Sequence, residues 1–218
     1  MLYEELQQDA QVAELLKKGN RDLGVLGFTD HSAAHTTLVA ERAAYILRKL
    51  GYSEREQELA KIAGLLHDIG NSVNRTHHAE YGALLAWDIL KDKPLTLVER
   101  VTVISAIGNH DEKTANAVTP LSAALILADK SDVRRSRVRN QDMATFDIHD
   151  RVNYSVKKSV LKINEEHTLI KLKLSVDTKY GSVMDYFEIF LGRMMLCRKS
   201  AEILGTTFKL TVNGRKVL

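Results

Sequence analysis

Six of the eight histidines of this 218-residue chain lie between positions 31 and 110, beside or inside apolar stretches. They are His31, His35, His67, His77, His78 and His110. Asp68 stands in the apolar run IAGLLHDIG, and Asp129 ends the run LSAALILAD. An ionised carboxylate at the end of an apolar helix needs a partner, because its burial alone is strongly unfavourable. A divalent cation binds neutral imidazoles and carboxylates together, so the pattern predicts a metal site.

The adjacent residues His67 and Asp68 restrict where such an ion can lie. Neighbouring side chains on a helix point about 100° apart, so both reach one ion only at a crowded centre between helices. His35 and Asp129 complete a set of four ligands from three helices. Such a set is typical of a site in the middle of a helical bundle.

A second ion is predicted beside the first, held by His78 and His110, with Asp68 bridging the two ions. The other histidines are set apart from these ligands. Extra imidazoles expected near the site, with a substrate-facing or structural role, are His31 and His77. Outside the cluster and without an assigned role are His149 and His167.

Apolar positions with helical spacing fill the first two thirds of the chain, and they supply the helices that carry these ligands. The predicted helices cover residues 3–18, 32–50, 53–70, 78–92, 97–107 and 120–128. Gly19 and Asn20 are expected to end the first helix. Ser53 with Glu56 forms a capping box, and Pro120 suits the first turn of the last helix.

The sequence pattern changes after about residue 148, where apolar and polar residues begin to alternate as in half-buried strands. Strands are predicted around Val152–Val156 and at residues 170–176, with a hairpin loop at 164–167. A long helix from Ser182 to Leu204 and a third strand from Thr207 to Val212 follow. We therefore predict a mainly α fold, α+β overall, with a helical domain at 1–148 and a C-terminal strand–strand–helix–strand appendage at 149–218 packed on it.

Composition excludes several classes of protein. One cysteine, Cys197, excludes a disulfide framework and any cysteine-rich zinc or iron–sulfur site. Apolar runs are far shorter than the ~18 residues of a membrane span, and the N-terminus does not resemble a signal or transit peptide. A cytoplasmic protein without a membrane partner is therefore expected. The net charge of +3 is too balanced to indicate nucleic-acid binding.

Basic residues are nevertheless concentrated in one segment, residues 129–142. They are Lys130, Arg134, Arg135, Arg137 and Arg139. Two interpretations are open. The segment is either a solvated helix face or C-terminal turn, where cations are favoured, or a basic lip beside an anionic substrate.

The ordered set His35, His67-Asp68 and Asp129 resembles the HD superfamily of metal-dependent phosphohydrolases over residues 30–135. The segments that carry the resemblance are HTTLVAERAAYILRKLG, LAKIAGLLHDIGN, HHAEYGALLAWDIL, AIGNHDE and LILADKSD. In the third segment, its place in the motif selects His78 over His77 as the ligand of a second metal. The resemblance implies an HD-type helical bundle whose metal ligands are His35, His67, Asp68, His78, His110 and Asp129.

The resemblance implies a hydrolase that cleaves a phosphoester of a nucleotide or related small molecule with metal-activated hydroxide. Asp68 is then the central catalytic residue, and the cofactor is a divalent transition metal, as two ions of Mn, Fe, Co, Ni or Zn. Candidates for holding the substrate phosphate are Arg75, Lys130 and Arg134. The apolar faces of the 182–204 helix also fit a homodimer.

Two departures from the family pattern bear on the substrate. Many two-metal members have lysine after HDIG, where this chain has Asn71. The subgroup of cyclic-dinucleotide phosphodiesterases continues HHE with a GYP signature, whereas here Asp111 follows His110 and no GYP is present. A cyclic dinucleotide is therefore not assigned as the substrate.

The same ligand set leaves two other functions open. Some relatives with this fold hold a pair of irons and activate oxygen, and the ligands alone do not distinguish the two reactions. A non-catalytic nucleotide-sensing module is the other alternative, for which residues 130–139 and the C-terminal appendage are the motivation.

Overall fold

The fold was analysed in a computed structural model, which describes residues 1–112 and 115–217. The helices are α1 (Leu2–Gln7), α2 (Ala10–Val25), α3 (Ala33–Lys49), α4 (Glu54–Leu66), α5 (His78–Ile89), α6 (Leu97–Gly108), α7 (Pro120–Lys130), α8 (Ile148–Ser155) and α9 (Val183–Ile203). The strands are β1 (Val156–Ile163), β2 (Leu169–Val176), β3 (Thr207–Val212) and β4 (Arg215–Lys216). Short 3-10 turns cover Ile69–Ser72, Arg135–Arg137 and Met143–Thr145. The prediction of a mainly helical fold with a small C-terminal sheet is confirmed.

Close packing of α3 on α4 brings the first two histidine-bearing helices together. Gly64 of α4 lies against α3 so closely that an added Cβ would stand 2.5 Å from Ala40 Cα. The facing side chains Val39, Ala43 and Ala60 are fully buried. Small residues at the contact let the two backbones approach, which places His35 and the C-terminal end of α4 side by side.

Side-chain caps fix where the following helices begin. Ser53 accepts from the Glu56 amide, and the Glu56 carboxylate accepts from the Ser53 amide, so the predicted capping box is present. Thr96 and Glu99 form the same arrangement at the start of α6. Pro120 lies in the first turn of α7, as predicted.

The N-terminal segment differs from the prediction of one helix over residues 3–18. It forms two helices, and α2 continues through Gly19 and Asn20 to Val25. Asp9 starts α2, because its carboxylate accepts from the amides of Gln11 and Val12. Gly19 does not end the helix but allows close packing, since an added Cβ would lie 3.0 Å from the Ser72 amide nitrogen.

The C-terminal sheet has the strand order β1-β2-β3-β4. The β1–β2 and β3–β4 pairs are antiparallel, and β2 and β3 are parallel, with α9 forming the crossover between them. The strand predicted around Val152–Val156 begins only at Val156, because Val152 and Tyr154 belong to α8. Asp147 accepts from the Asp150 amide and thereby caps this short helix.

One apolar core runs from the helices into the sheet. Leu172 and Leu210 on the inner face of the sheet belong to the same buried cluster as Leu125 of α7 and Phe190 of α9. The division into domains at residue 148 stays a prediction. None of the helices in the described residues is long and apolar enough to cross a membrane.

Candidate metal centre

Three of the predicted ligands have one ring nitrogen fixed by a backbone carbonyl. The bonds are His67 Nδ1 to Gly64 O at 2.8 Å, His78 Nδ1 to Arg75 O at 3.1 Å and His110 Nδ1 to Ile107 O at 2.6 Å. A carbonyl oxygen only accepts, so each Nδ1 must carry the proton. In the neutral form of each ring, Nε2 is then the unprotonated nitrogen, and its lone pair can bind a metal ion.

His35 is fixed in the same way by a carboxylate. Its Nδ1 donates to Asp132 Oδ2 at 2.7 Å, and both side chains are buried. Burial raises the pKa of Asp132, but the hydrogen bonds from His35 and Arg134 outweigh burial and hold this pKa below its ordinary value. The ionised carboxylate therefore orients the ring of His35 and fixes the tautomer that leaves Nε2 available to a metal ion.

Four candidate ligand atoms converge between α3, the end of α4 and α7. The distances from His35 Nε2 are 3.7 Å to Asp68 Oδ2 and 3.4 Å to Asp129 Oδ1, and those from His67 Nε2 are 3.3 Å and 3.9 Å to the same oxygens. Ligands bound at about 2.0–2.2 Å around one ion stand at comparable separations. His35, His67 and Asp129 form a group able to hold a metal ion.

Whether this cluster fits a metal ion can be judged from its buried polar atoms that have no hydrogen-bond partner. In the described part of the chain, His35 Nε2, His67 Nε2 and Asp68 Oδ2 are buried and have no hydrogen-bond partner. Three such atoms pointing at one another would cost free energy without a ligand among them. Two imidazole nitrogens and carboxylate oxygens are a donor set suited to a divalent transition metal, so the residues fit the cofactor.

The charge of the cluster favours a cation as well. Burial raises the pKa of Asp68, but the neighbouring imidazoles, led by His67, outweigh it and hold the pKa well below the usual range. For Asp129, Lys130 is the largest influence that opposes burial, and the pKa is also lowered strongly. Both carboxylates are therefore ionised near neutral pH.

The predicted ligands of a second ion lie beside this cluster. His78 Nε2 lies 3.2 Å from His110 Nε2 and 3.8 Å from Asp68 Oδ1. Burial lowers the pKa of both His78 and His110, so both rings are neutral at neutral pH and their Nε2 lone pairs face each other. A cation between them would remove this repulsion. His67, Asp68 and His110 also form a group able to hold a metal ion.

Asn71 orients the carboxylate of Asp68, which is shared by the two clusters. It stands at the position after HDIG, where many two-metal members of the HD superfamily have lysine. Its Nδ2 donates to Asp68 Oδ1 at 2.9 Å and to the Asp68 carbonyl at 3.0 Å. Asp68 Oδ2 is left free to face His35 and His67, while Oδ1 faces His78. Asn71 thus positions a ligand and adds no positive charge.

A cavity of about 350 Å³ opens from the ligand cluster to the surface. Arg75 and Lys130, two of the predicted phosphate-binding residues, line it, and Lys130 Nζ donates to Asp129 Oδ2 at 2.7 Å. The third, Arg134, is not part of the lining. Its Nε and Nη2 bind the two oxygens of Asp132 at 2.5 and 3.0 Å, which turns its charge away from the cavity.

Two other lining residues belong to sets that the sequence singled out, the basic segment and the extra imidazoles. Arg137 lines the cavity and donates to the Asp30 and Asp132 carbonyls. His31 also lines the cavity, as predicted for an extra imidazole near the site. Its ring is edge-on to that of His35, with 5.5 Å between the ring centroids. His77 is exposed and lies outside the lining.

The segment after residue 134 also reaches the cavity. His149, which the sequence placed outside the cluster, lines it, as do Phe190 and Arg193 of α9. Arg193 forms an ion pair with Glu112, two residues after His110. No local signal in the sequence identifies these residues, because their position depends on how α8 and α9 pack against the helices.

Residues 33–134 match the HD domain family. An uncharacterized protein of Methanocaldococcus jannaschii is 29% identical over 189 residues, which cover 76% of this chain and 73% of that protein. A crystal structure of a predicted HD superfamily hydrolase from an uncultured Thermotogales bacterium has 24% identity and a TM-score of 0.45, covering 62% of this chain and 75% of that one.

The match to the HD domain contains His35, the adjacent His67 and Asp68, and Asp129. Residues 33–134 are therefore similar to the HD domain, as the resemblance of the motifs predicted. The family match ends at residue 134, so α8, the sheet and α9 lie outside it.

Proposed function

We propose that this protein is a metal-dependent phosphohydrolase that cleaves a phosphoester of a nucleotide or a related small molecule. The observation that carries the proposal is the convergence of His35 Nε2, His67 Nε2 and Asp68 Oδ2, which are buried and without partners. Asp68 and Asp129 of this cluster line a cavity whose wall carries positive side chains. This combination suits a metal ion together with an anionic substrate.

The cofactor in this proposal is a divalent transition metal, with Mn, Fe, Co, Ni and Zn as the candidates. One ion would be held by His35, His67, Asp68 and Asp129, and a second by Asp68, His78 and His110. Such ions supply Lewis acidity to a phosphoryl group and lower the pKa of a water molecule.

Side chains of the cavity wall provide the binding site for the substrate. Arg75 and Lys130 offer positive charge to a phosphate beside the ligand cluster. Phe28 is 40% exposed, lines the cavity and stacks on the Arg75 guanidinium, whose carbon lies 5.2 Å from the ring centroid. A flat aromatic ring next to a guanidinium favours a nucleobase at the mouth of the cavity.

The cavity volume limits the size of the substrate. Sites for small molecules occupy about 300–1,000 Å³, and a cavity of about 350 Å³ is at the lower end of that range. Phe190 and Arg193 of α9 form part of its wall. A mononucleotide or a phosphorylated fragment of similar size is therefore favoured over a polymer.

Assays of metal-depleted protein reloaded with each of the five metals in turn test this proposal. Release of phosphate or nucleoside from a panel of nucleoside mono-, di- and triphosphates would be measured. We expect at least one ion to restore hydrolysis and Asp68→Asn to lower turnover by roughly 10³-fold or more. The matched control is His167→Asn, because His167 is exposed at the β1–β2 hairpin with φ 58°, a conformation that asparagine tolerates.

Three results would contradict the proposal. One is the absence of hydrolysis with every ion and nucleotide. Another is oxygen consumption by the iron-loaded protein without phosphate release, which would favour an oxygenase. The third is tight nucleotide binding without turnover, which would favour a sensing module.

A further inference from the structure

The outer face of the C-terminal sheet is covered with lysine. Inward positions of the strands, such as Ile170, Leu172 and Leu210, are fully buried, so alternate positions point outward. The outward lysines are Lys158, Lys162, Lys171, Lys173, Lys209 and Lys216. No aspartate or glutamate occupies an outward position in these four strands, all of which lie within residues 115–217. The face therefore carries charge of one sign.

Strand register places three of these lysines in a single row. Lys162 of β1 is opposite Lys171 of β2, and Lys171 is opposite Lys209 of β3. Directly opposite side chains on one face of a sheet are close neighbours, and like charges in such positions are destabilising. The sheet thus keeps an arrangement that costs stability in the free protein.

Neighbouring carboxylates do not relieve this repulsion. In the described residues, none of the six lysines forms an ion pair, whereas Lys157 at the β1 irregularity is 2.9 Å from Asp177. Lysines that protect a sheet from edge-to-edge aggregation belong on edge strands. Lys171 and Lys173 lie on β2, which is paired with a strand on each side, so protection of an edge does not account for them.

We propose that this lysine face binds the phosphate backbone of double-stranded nucleic acid without reading its sequence. The ammonium groups are compact point charges on a regular lattice, with about 4.8 Å between strands and about 6.6 Å between outward positions of one strand. Closely spaced backbone phosphates are the complementary partner, and their neutralisation releases counterions. The proposal does not depend on the proposed hydrolase activity.

The composition of the face favours a duplex over other anionic partners. Single-stranded nucleic acid is bound with aromatic side chains that stack on bases, and no outward position of the four strands is aromatic. A membrane would be expected to meet large apolar side chains for insertion, but the outward apolar residues are only Val160 and Leu169. Glu165 and Glu166 in the β1–β2 hairpin would also oppose a broad anionic plane.

The test measures binding of the full chain to a fluorescently labelled 20-base-pair DNA duplex by anisotropy, at 50 and 200 mM NaCl. Neutralisation of about five phosphates predicts a loss of affinity of roughly 10²-fold or more between these two salt concentrations. The variant Lys171→Gln/Lys173→Gln/Lys209→Gln should bind at least 10-fold more weakly at 50 mM. The slope of the logarithm of the binding constant against the logarithm of the salt concentration should become shallower by about three units. Each lost phosphate contact reduces this slope by close to one unit.

The matched control carries Lys91→Gln, Lys179→Gln and Lys199→Gln, which change the net charge equally at exposed positions outside the sheet. It should bind as the wild type does. Circular dichroism establishes that both variants are folded. The proposal is overturned if the wild type does not bind the duplex at 50 mM, or if the control loses as much affinity as the sheet variant. Tighter binding to vesicles with 30% phosphatidylserine than to the duplex would also overturn it, in favour of a membrane surface.

Discussion

His35 and Asp132 are 97 positions apart in the chain, yet His35 Nδ1 donates to Asp132 Oδ2 at 2.7 Å inside the protein. This contact fixes both the tautomer and the orientation of His35, so that its Nε2 faces Asp68 and Asp129. Asp132 is itself held by Arg134 and lies near Arg137. A network of charges behind the candidate ligand therefore prepares it to bind a metal ion.

Replacing Asp132 with asparagine should weaken metal binding without removing a candidate ligand. Asp132→Asn keeps the shape of the side chain but removes the negative charge that holds His35 Nδ1. We expect the dissociation constant for Mn²⁺ to rise about 10–100-fold, with an unchanged number of ions at saturation. Calorimetric titration measures both quantities. An unchanged affinity in a folded variant would show that this contact does not tune the site.

Removal of His78 should affect only the second candidate site. Its Nε2 points at His110 and Asp68, and it has no contact with His35. His78→Ala should therefore lower metal content from two ions per chain to one, while helical content remains. Elemental analysis and circular dichroism check these outcomes. If the variant keeps the same number of ions as the wild type, the second site is not where the structure places it.

Close contact of α3 and α4 at Gly64 should be essential for stability. The Cβ of Gly64→Ala would meet Ala40 backbone atoms at 2.5 and 2.6 Å, so the helices must separate. We expect a loss of about 1–3 kcal/mol in the free energy of unfolding, together with weaker metal binding, because His35 and His67 move apart. Urea unfolding and metal titration measure these effects.

Gly192→Ala is the matched control for that change. Nothing lies within 4 Å of a Cβ at this position of α9. Alanine is the better helix former, so this variant should be as stable as the wild type or more stable by up to about 1 kcal/mol. Equal losses in the two variants would mean that the α3–α4 contact is not the cause.

Stability should decrease in acid partly because of Glu99. Hydrogen bonds from Arg55, at 2.6 and 3.0 Å, lower the pKa of Glu99 from 4.5 to about 2. The folded state thus binds this proton less readily than the unfolded chain, so the contribution is present above pH 4.5 and is lost as pH falls towards 2. Glu99→Gln should lower stability by about 1 kcal/mol at pH 7 and much less at pH 2. Urea unfolding at several pH values checks this, and an equal effect throughout would contradict it.

Much of the helical region could be predicted because its signals are local. Apolar periodicity, the Ser53 cap and Pro120 in a first turn define the helices, and each predicted ligand lies at or near a helix end. The ordered set His35, His67-Asp68 and Asp129 then indicated that the helices carrying these residues must meet. The early break between α1 and α2 was missed because helical periodicity continues past Asp9, whose capping role is visible only in the fold.

Contacts that join distant parts of the chain could not be predicted in this way. Arg134 and Arg137 are three residues apart in one basic segment, yet Arg137 lines the cavity and Arg134 does not. Which of the two arginines lines the cavity depends on the position of Asp132, which binds Arg134 and pairs with His35. In the same way, His149 and Arg193 reach the cavity only because α8 and α9 fold back on the helices.

Metal content of Asp68→Asn tests the central claim most directly, since Asp68 faces both candidate sites. Wild type and variant would be purified identically, loaded with Mn²⁺, freed of excess metal and measured by elemental analysis, with circular dichroism on the same samples. The account predicts two ions per wild-type chain, and a variant that is folded but retains less than about a tenth of this metal. A folded Asp68→Asn protein that retains the full metal content would contradict it.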